Sequence, residues 1–324
     1  MNRFRPGGVW GFILRRLLLG IAVLILVSIL VFLATQALPG DPARAILGRS
    51  ATPASLAALR RQLHLDRPVI DQYLTWVTGL LHGSLGRSLA AQEPVTTLLS
   101  PRLVNSGVLV ALAALVSIPL SIAIGAWAAL KRENAFDTMS TNLLLVLAAL
   151  PEFVVAVVLV LLFATTVLNV LPAISTVPPG SRPWNNWTAL VLPTATLVIA
   201  VAPYVARIMR ASMIEVLESD YVEMARLKGL PERTVLVRHA LPNALGPVFQ
   251  VIALNLAYLA GGIIVIEYVF NYAGIGSAMQ EAVINHDLPV VQALAMLIAA
   301  VYVILNLLAD VATILVTPRL RTRL

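Results

Sequence analysis

The sequence predicts an all-α polytopic membrane protein with six transmembrane helices and a small helical external segment after the first. Three observations carry this expectation. Six apolar runs long enough to cross a bilayer recur along the chain, where about 20 apolar residues suffice for a spanning helix. Charged residues make up only 12% of the chain, and mean hydropathy is +0.88, whereas a soluble domain carries roughly 25% charged residues. Lys and Arg gather at the ends of alternate runs, as membrane topology requires. That clustering accounts for the net charge of +7 without nucleic acid as a partner. The chain has no cysteine, which excludes disulfides, cysteine-ligated metal and a thiol nucleophile.

The chain opens with Arg3, Arg5, Arg15 and Arg16 ahead of the apolar run Leu17 to Leu38. A secretory signal has the same polarity, but its apolar region is about 7–15 residues. This run has spanning length, so it reads as an uncleaved first helix with its N-terminus in the cytoplasm. PGDP, Pro39 to Pro42, is a turn-rich exit. Thr52 and Pro53 open a helical pattern, with Leu56, Leu59 and Leu63 on one face and Arg60 and Arg61 on others. A second pattern covers Val69 to Leu81, with Val69, Tyr73, Trp76, Val77 and Leu80 on one stripe, and GSLGRSL (Gly83 to Leu89) ends it. The seven arginines between Pro39 and Arg102 do not bear on orientation, because segments this long cross irrespective of charge.

Leu103 to Leu130 is the second span, with Pro119 predicted to kink it. Lys131, Arg132, Glu133 and Asp137 lie in a short connection. The third span, Thr138 to Leu171, is broken at Pro151 and Glu152. Pro172 to Thr188 is a loop whose Trp184 and Trp187 suit the water–lipid boundary. The fourth span is Ala189 to Ala206, the fifth Val248 to Ile266 and the sixth Val290 to Val316, which carries Asp310. The short connections on one side and the two ends hold 15 Lys and Arg, against Arg182 alone in the two loops opposite. This asymmetry sets both termini in the cytoplasm. The organisation expected is residues 1–103, the first helix with its external segment, and residues 104–324, a five-helix core.

Between spans four and five runs a polar connection of about 40 residues, Arg207 to Gly246, centred on Asp220 to Pro242 (DYVEMARLKGLPERTVLVRHALP). A simple link could be far shorter. Asp220 and Glu223 have the D-x-x-E form of a capping box. Ala225 and Gly229, four apart, present a small-residue face, and Gly229 fits a helix stop. Pro231 and Glu232 open a second short helix, expected to end where Leu241 and Pro242 break it before span five. A hairpin resting on lipid would favour Lys and Arg. Here acids nearly balance bases, which suits a protein partner better.

The pattern E-x-A-x3-G-x11-L-P at Glu223, Ala225, Gly229, Leu241 and Pro242 resembles the signature loop of ABC importer permeases, with Met224 where Ala is usual and His239 at a usually apolar place. ALPGDP (37–42), LDRPVIDQYLTW (65–76), GSLGRS (83–88), DYVEMARLKGL (220–230), RHALPNAL (238–245), EYVFNYAGIG (267–276) and TPRLR (317–321) are similar to the B-type subunit of the dipeptide/oligopeptide (peptide/nickel) permeases, nearly end to end. Ala273 stands where that branch has Pro, and the loop after Leu171-Pro172 lacks its usual Gly. The resemblance implies a type I ABC importer permease fold in a bacterial or archaeal plasma membrane. It implies a homologous second permease subunit, two cytoplasmic ATPase subunits or one fused ATPase, and an extracytoplasmic binding protein. ATP and Mg belong to the ATPases, and this chain holds no cofactor and no catalytic residue. The ATPase-coupling loop would use Asp220, Tyr221, Glu223, Ala225, Lys228, Gly229, Leu241 and Pro242. The cargo implied is di- or oligopeptide, with nickel or metal chelate, glutathione or another small solute as alternatives.

Other residues admit two readings each. Glu152 faces the pore or satisfies backbone freed at Pro151; Asp310 makes an interhelical hydrogen bond or serves the pore. Glu267 anchors the external Tyr268 to Gly276 segment, with Phe270, Gly274 and Gly276, rather than touching substrate. Gly261-Gly262 allows close helix approach. His64, His82, His239 and His286 are too scattered for a metal site. Ser84, Ser88 and His82 lack an acid to complete a triad, and no G-x4-G-K-[ST] phosphate loop exists. A secondary transporter predicts inverted repeats and intramembrane charge networks, and an intramembrane enzyme predicts paired catalytic groups. Neither pattern is present in the sequence.

Overall fold

The computed structural model describes residues 8–37, 42–47, 51–62, 65–178 and 180–316. The basic residues Arg3 and Arg5, most of the PGDP exit, His64, and the TPRLR tail lie outside them. So do the surroundings of Gly261-Gly262. The chain is helical: α1 (Gly8–Gln36), α2 (Pro42–Leu47), α3 (Pro53–Gln62), α4 (Val69–Leu81), α5 (Val95–Leu130), α6 (Ala135–Ala149), α7 (Glu152–Val160), α8 (Trp187–Leu217), α9 (Asp220–Leu227), α10 (Glu232–Thr234), α11 (Leu241–Val269), α12 (Ile275–Ile284) and α13 (Leu288–Val316). Among the described residues, four helices are long and apolar enough to cross a membrane, and five if α6 and α7 with its extension count as one bent span. α11, 29 residues long, is the remaining long helix.

The bundle is built on α5 and α8. At Gly125 the two come so close that a Cβ there would strike the Ala206 carbonyl and the Met209 side chain. Leu109, Ala113, Leu197, Met209 and Met213 form the core with Leu259, Ile263 and Ile266 of α11. α13 lies beside α11 and carries α1 on its other side, where Gly20 faces Val303. Most of α1 is exposed, including Leu14, Leu18, Leu26 and Leu30, which suits contact with acyl chains.

The helices after α1 begin as their local chemistry requires. At the start of α3, the Thr52 N–H donates to Ser55 Oγ at 2.9 Å and the Ser55 N–H to Thr52 Oγ1 at 3.2 Å. This reciprocal cap satisfies donors the first turn cannot. α4 packs on α1 through Phe32, Tyr73 and Trp76, with ring centroids 5.4 and 5.9 Å from Phe32, and the Ser28 and Tyr73 hydroxyls are 2.9 Å apart. α5 starts at Val95, eight residues before the expected edge of span two, and passes through both Pro101 and Pro119.

The third span is more than interrupted: α6 and the α7 segment meet at 103°. Leu150 and Pro151 are both extended, at ψ 130° and 139°; Leu150 is so because a residue preceding proline is driven out of the helical region. α7 then ends in a π-helical turn, Leu161–Thr165.

The polar connection also differs from expectation. α8 does not stop at Ala206 but continues through Arg207 and Arg210 to Leu217. Leu241 and Pro242 do not break the second helix. α10 passes through a π-helical turn, Val235–Ala240, directly into α11. Pro242 falls in the first turn of α11, where its missing N–H costs nothing, and the π turn absorbs the register change.

Candidate functional site

The hairpin between α8 and α11 is built by short-range chemistry. The residue at the cap of α9 is Ser219, not Asp220, and it makes no side-chain cap: its hydroxyl donates back to the Val216 carbonyl. The D-x-x-E capping box is therefore absent. Asp220 and Glu223 still stand in the first turn of α9, where negative charge favours the positive end of the helix. The C-terminus closes as a Schellman motif: Gly229 N–H donates to Arg226 O at 2.9 Å and Leu230 N–H to Ala225 O at 3.4 Å. Gly229 has φ +73°, a conformation that only glycine adopts without strain.

Ala225 faces inward. With Val222 and Val235 it forms a small buried cluster against Val216, so the expected small-residue face at Ala225 is filled from within the hairpin. Arg226 crosses to Glu232, Nη2 to Oε1 at 2.8 Å, and that hydrogen bond holds the guanidinium pKa above its ordinary value. The opposite side of α9 is open and mixed. Tyr221, Met224 and Leu227 are exposed, Leu227 by 74%, beside exposed Asp220, Glu223 and Lys228. Leu241 and Pro242 lie one π turn beyond the hairpin, at the foot of α11, and do not join the α9 surface.

The base of the hairpin is sewn to its neighbours. Asp137 of α6 receives Arg210 of α8 in a bidentate pair at 2.6 and 2.7 Å. Arg132 reaches Glu218, and Ser212 donates to the Ala244 carbonyl at 2.9 Å. These contacts join α8 to α6, to the connection before it and to α11. Sequence reasoning placed Asp137 in a short connection, counted Arg210 as topological charge and missed the pair; the presence of an acid beside a basic cluster was its only signal.

The Glu267 region forms the other end. Glu267 sits in the last turn of α11, fully buried. Its carboxylate accepts the N–H groups of Gly276 at 2.6 Å and Ser277 at 3.4 Å and the Ser106 hydroxyl. It supplies the acceptors that the first turn of α12 needs. A Cβ on Gly274 would occupy the same carboxylate, and one on Gly276 would meet the Ile264 backbone. Phe270 is fully buried and its carbonyl accepts the Ser175 N–H at 2.8 Å. The sequence outlined Glu267 as an anchor for the Tyr268 to Gly276 segment. Asp287, which sequence reasoning did not single out, binds the Ser88 hydroxyl and the N–H groups of Leu89 and Ala90 at 3.0 and 3.2 Å.

The two intramembrane acids part company. Glu152 opens α7, with Tyr258 Oη at 3.4 Å. Asp310 pairs with Arg16 Nε at 3.0 Å, which joins the last helix to the first.

The helical bundle carries, between α8 and α11, one hairpin with an exposed edge. The chain belongs to the family of binding-protein-dependent transport system inner membrane components: that family's core matches residues 121–322 and its N-terminal part residues 9–106. It is a multi-pass inner-membrane permease component. Over 312 residues it is 37% identical to "Probable peptide ABC transporter permease protein y4tP" of Sinorhizobium fredii, covering 96% of this chain and 99% of that one. It is 34% identical over 310 residues to the glutathione transport system permease protein GsiC of Salmonella typhimurium, covering 96% and 98%. A solved amino acid ABC transporter matches 69% of this chain and 94% of its own at TM-score 0.47 and 19% identity, a likeness too loose to position residues.

Proposed function

We propose that this chain is one of two homologous pore subunits of an ATP-driven importer that moves di- and oligopeptides inward across the plasma membrane. The observation that carries the reading is the 37% identity, across 96% of the chain, to a protein named as a peptide permease. On this reading α1, α5, the bent α6–α7 pair, α8, α11 and α13 are six spans with both termini in the cytoplasm. The segment from α2 to α4 and the α12 region then face outward, toward a substrate-binding protein.

The α9 hairpin docks on a cytoplasmic ATPase subunit, or on one half of a fused ATPase, through the exposed Tyr221, Met224 and Leu227 edge. Asp220, Glu223 and Lys228 flank that edge; Ala225 and Gly229 set its shape. Closure of the ATPases shifts the bundle only through contacts that differ between the two states. The hairpin is fastened to α8 and α11, which supports its role as the handle. Glu152, at the bend of the third span, is the acid best placed to meet cargo. ATP and Mg act in the partner subunits, and this chain catalyses no reaction. Glutathione is a second cargo reading, favoured by the 34% identity to a glutathione permease.

Uptake by a deletion strain complemented with this gene tests the reading. Di-, tri- and pentapeptide uptake is expected to return, and to vanish again when the ATPase subunits are deleted. Uptake that survives ATPase deletion removes the ABC mechanism. Unimpaired peptide uptake in the deletion strain, with nickel uptake lost, removes the peptide cargo.

A further inference from the structure

We propose that the cleft between α6, α8 and α11 is a cargo site that binds a free carboxylate, the C-terminal end of a peptide, on Arg207. The inference rests on the peptide-import reading and adds to it a place and a chemical group. The cleft has a volume of about 520 Å³, within the range of small-molecule sites. Its walls mix apolar surface, including Leu254, with Thr141, Tyr204 and Asn255.

Two arginines enter it from α8, and they are not equivalent. Arg210 is bound on both sides of its fork by Asp137, at 2.6 and 2.7 Å, so its charge is matched. Arg207, one turn earlier and exposed, has no hydrogen bond or ion pair among the described residues. Asp137 is already consumed, and no other acid lines the cleft. The cleft therefore carries one unmatched positive charge beside apolar walls, accessible to an anion.

The shape of that charge selects the anion. A guanidinium offers a planar fork that fits a carboxylate with two parallel hydrogen bonds. Asn255 donates its Nδ2 to the Val251 carbonyl at 2.8 Å, which leaves its side-chain oxygen as an acceptor for a peptide N–H. Every linear peptide carries a C-terminal carboxylate whatever its side chains. A site that holds this end against apolar walls therefore tolerates variable sequence. Arg207 lies 20 residues along α8 from Trp187, about 30 Å at 1.5 Å per residue, so the cleft is at the end of the span away from the tryptophan boundary. A lipid phosphate offers a related anion at that depth, and the test separates the two.

The chain lacks cysteine, so Ala211→Cys, on the cleft wall, gives one thiol in this subunit for labelling in the assembled transporter. Co-purification with the partner subunits at the level of the unsubstituted chain shows that the variant folds. The probes are alanine tripeptide and its C-terminal amide. The acid is expected to slow labelling at concentrations roughly tenfold or more below those the amide needs, the effect of one charge-assisted pair. Arg207→Gln in the same background is expected to erase the difference, and Arg207→Lys to retain part of it. No protection, or equal protection by acid and amide, overturns the site. A lipid phosphate occupying Arg207 gives that equal result. Uptake of labelled alanine tripeptide in the same cells separates the two readings. Uptake without acid-selective protection removes the site alone, whereas no uptake by the unsubstituted transporter removes the peptide reading and the site with it.

Discussion

Glu267 and Gly276 are nine residues apart, and the carboxylate of the first accepts the backbone N–H of the second at 2.6 Å. An acid in the last turn of α11 thereby caps α12. Both glycines of the segment are forced by it, since side chains at Gly274 or Gly276 would collide with the carboxylate or with Ile264.

Removing that acceptor leaves two N–H groups and the Ser106 hydroxyl unsatisfied. Glu267→Ala is expected to cost about 3 kcal/mol, and Glu267→Gln, which keeps one oxygen, less than half of that. Gly274→Ala is expected to be damaging alone and nearly harmless added to Glu267→Ala, a coupling that thermal unfolding of the purified complex reads as non-additivity. Strict additivity would falsify the shared-space account.

Gly229 separates backbone strain from docking. Its φ is +73° and a Cβ would meet nothing within 4 Å. Within the chain, Gly229→Ala costs only about 1 kcal/mol of left-handed strain, and Gly229→Asn less. On the proposed docking, a bulky Gly229→Leu is expected to abolish uptake and ATPase co-purification while the chain still inserts, because nothing within the chain itself opposes it. A Gly229→Leu variant that keeps its ATPase would place the contact elsewhere.

Two ion pairs are expected to differ in weight. Asp137 in its pair with Arg210 is 6% exposed, and Asp137→Ala strands a charge, at roughly 3 kcal/mol. Arg16 and Asp310 are 47% and 25% exposed, and Arg16→Ala is expected to cost at most about 1 kcal/mol. Melting temperatures of the two variants check the order, and a reversed order contradicts the burial argument.

Asp287 holds the 88–90 segment by one hydroxyl and two N–H groups. Asp287→Ala is expected to free the neighbouring backbone, so that trypsin added outside right-side-out spheroplasts cuts after Arg87 several times faster than in the unsubstituted chain. Cleavage there only from the cytoplasmic side would reverse the proposed topology.

Several features were legible because they depend on neighbours in sequence. The start of α3 at Thr52-Pro53, the span of α4, and the stop at Gly229 follow from caps, periodicity and glycine's conformational freedom. The resemblance carried by Glu223, Ala225, Gly229, Leu241 and Pro242 led to the right family. The fates of Asp220 and Pro242 were not legible. Ser219 took the cap position, and a π turn let the helix run through Leu241-Pro242, both decided by how α9 and α10 fold onto Val216.

The sequence by itself determined that this chain lives in a membrane and that the polar connection between spans four and five folds into a hairpin. Hydropathy over 20-residue windows and local turn chemistry are enough for that. Only the tertiary structure decided which charges are matched: Asp137 with Arg210, Asp310 with Arg16, Glu267 with the start of α12, and Arg207 with none among the described residues. Pairing depends on distance in space between residues 73, 294 and nine positions apart. Periodicity along one helix is blind to such distances, because they are set by how the helices pack against one another.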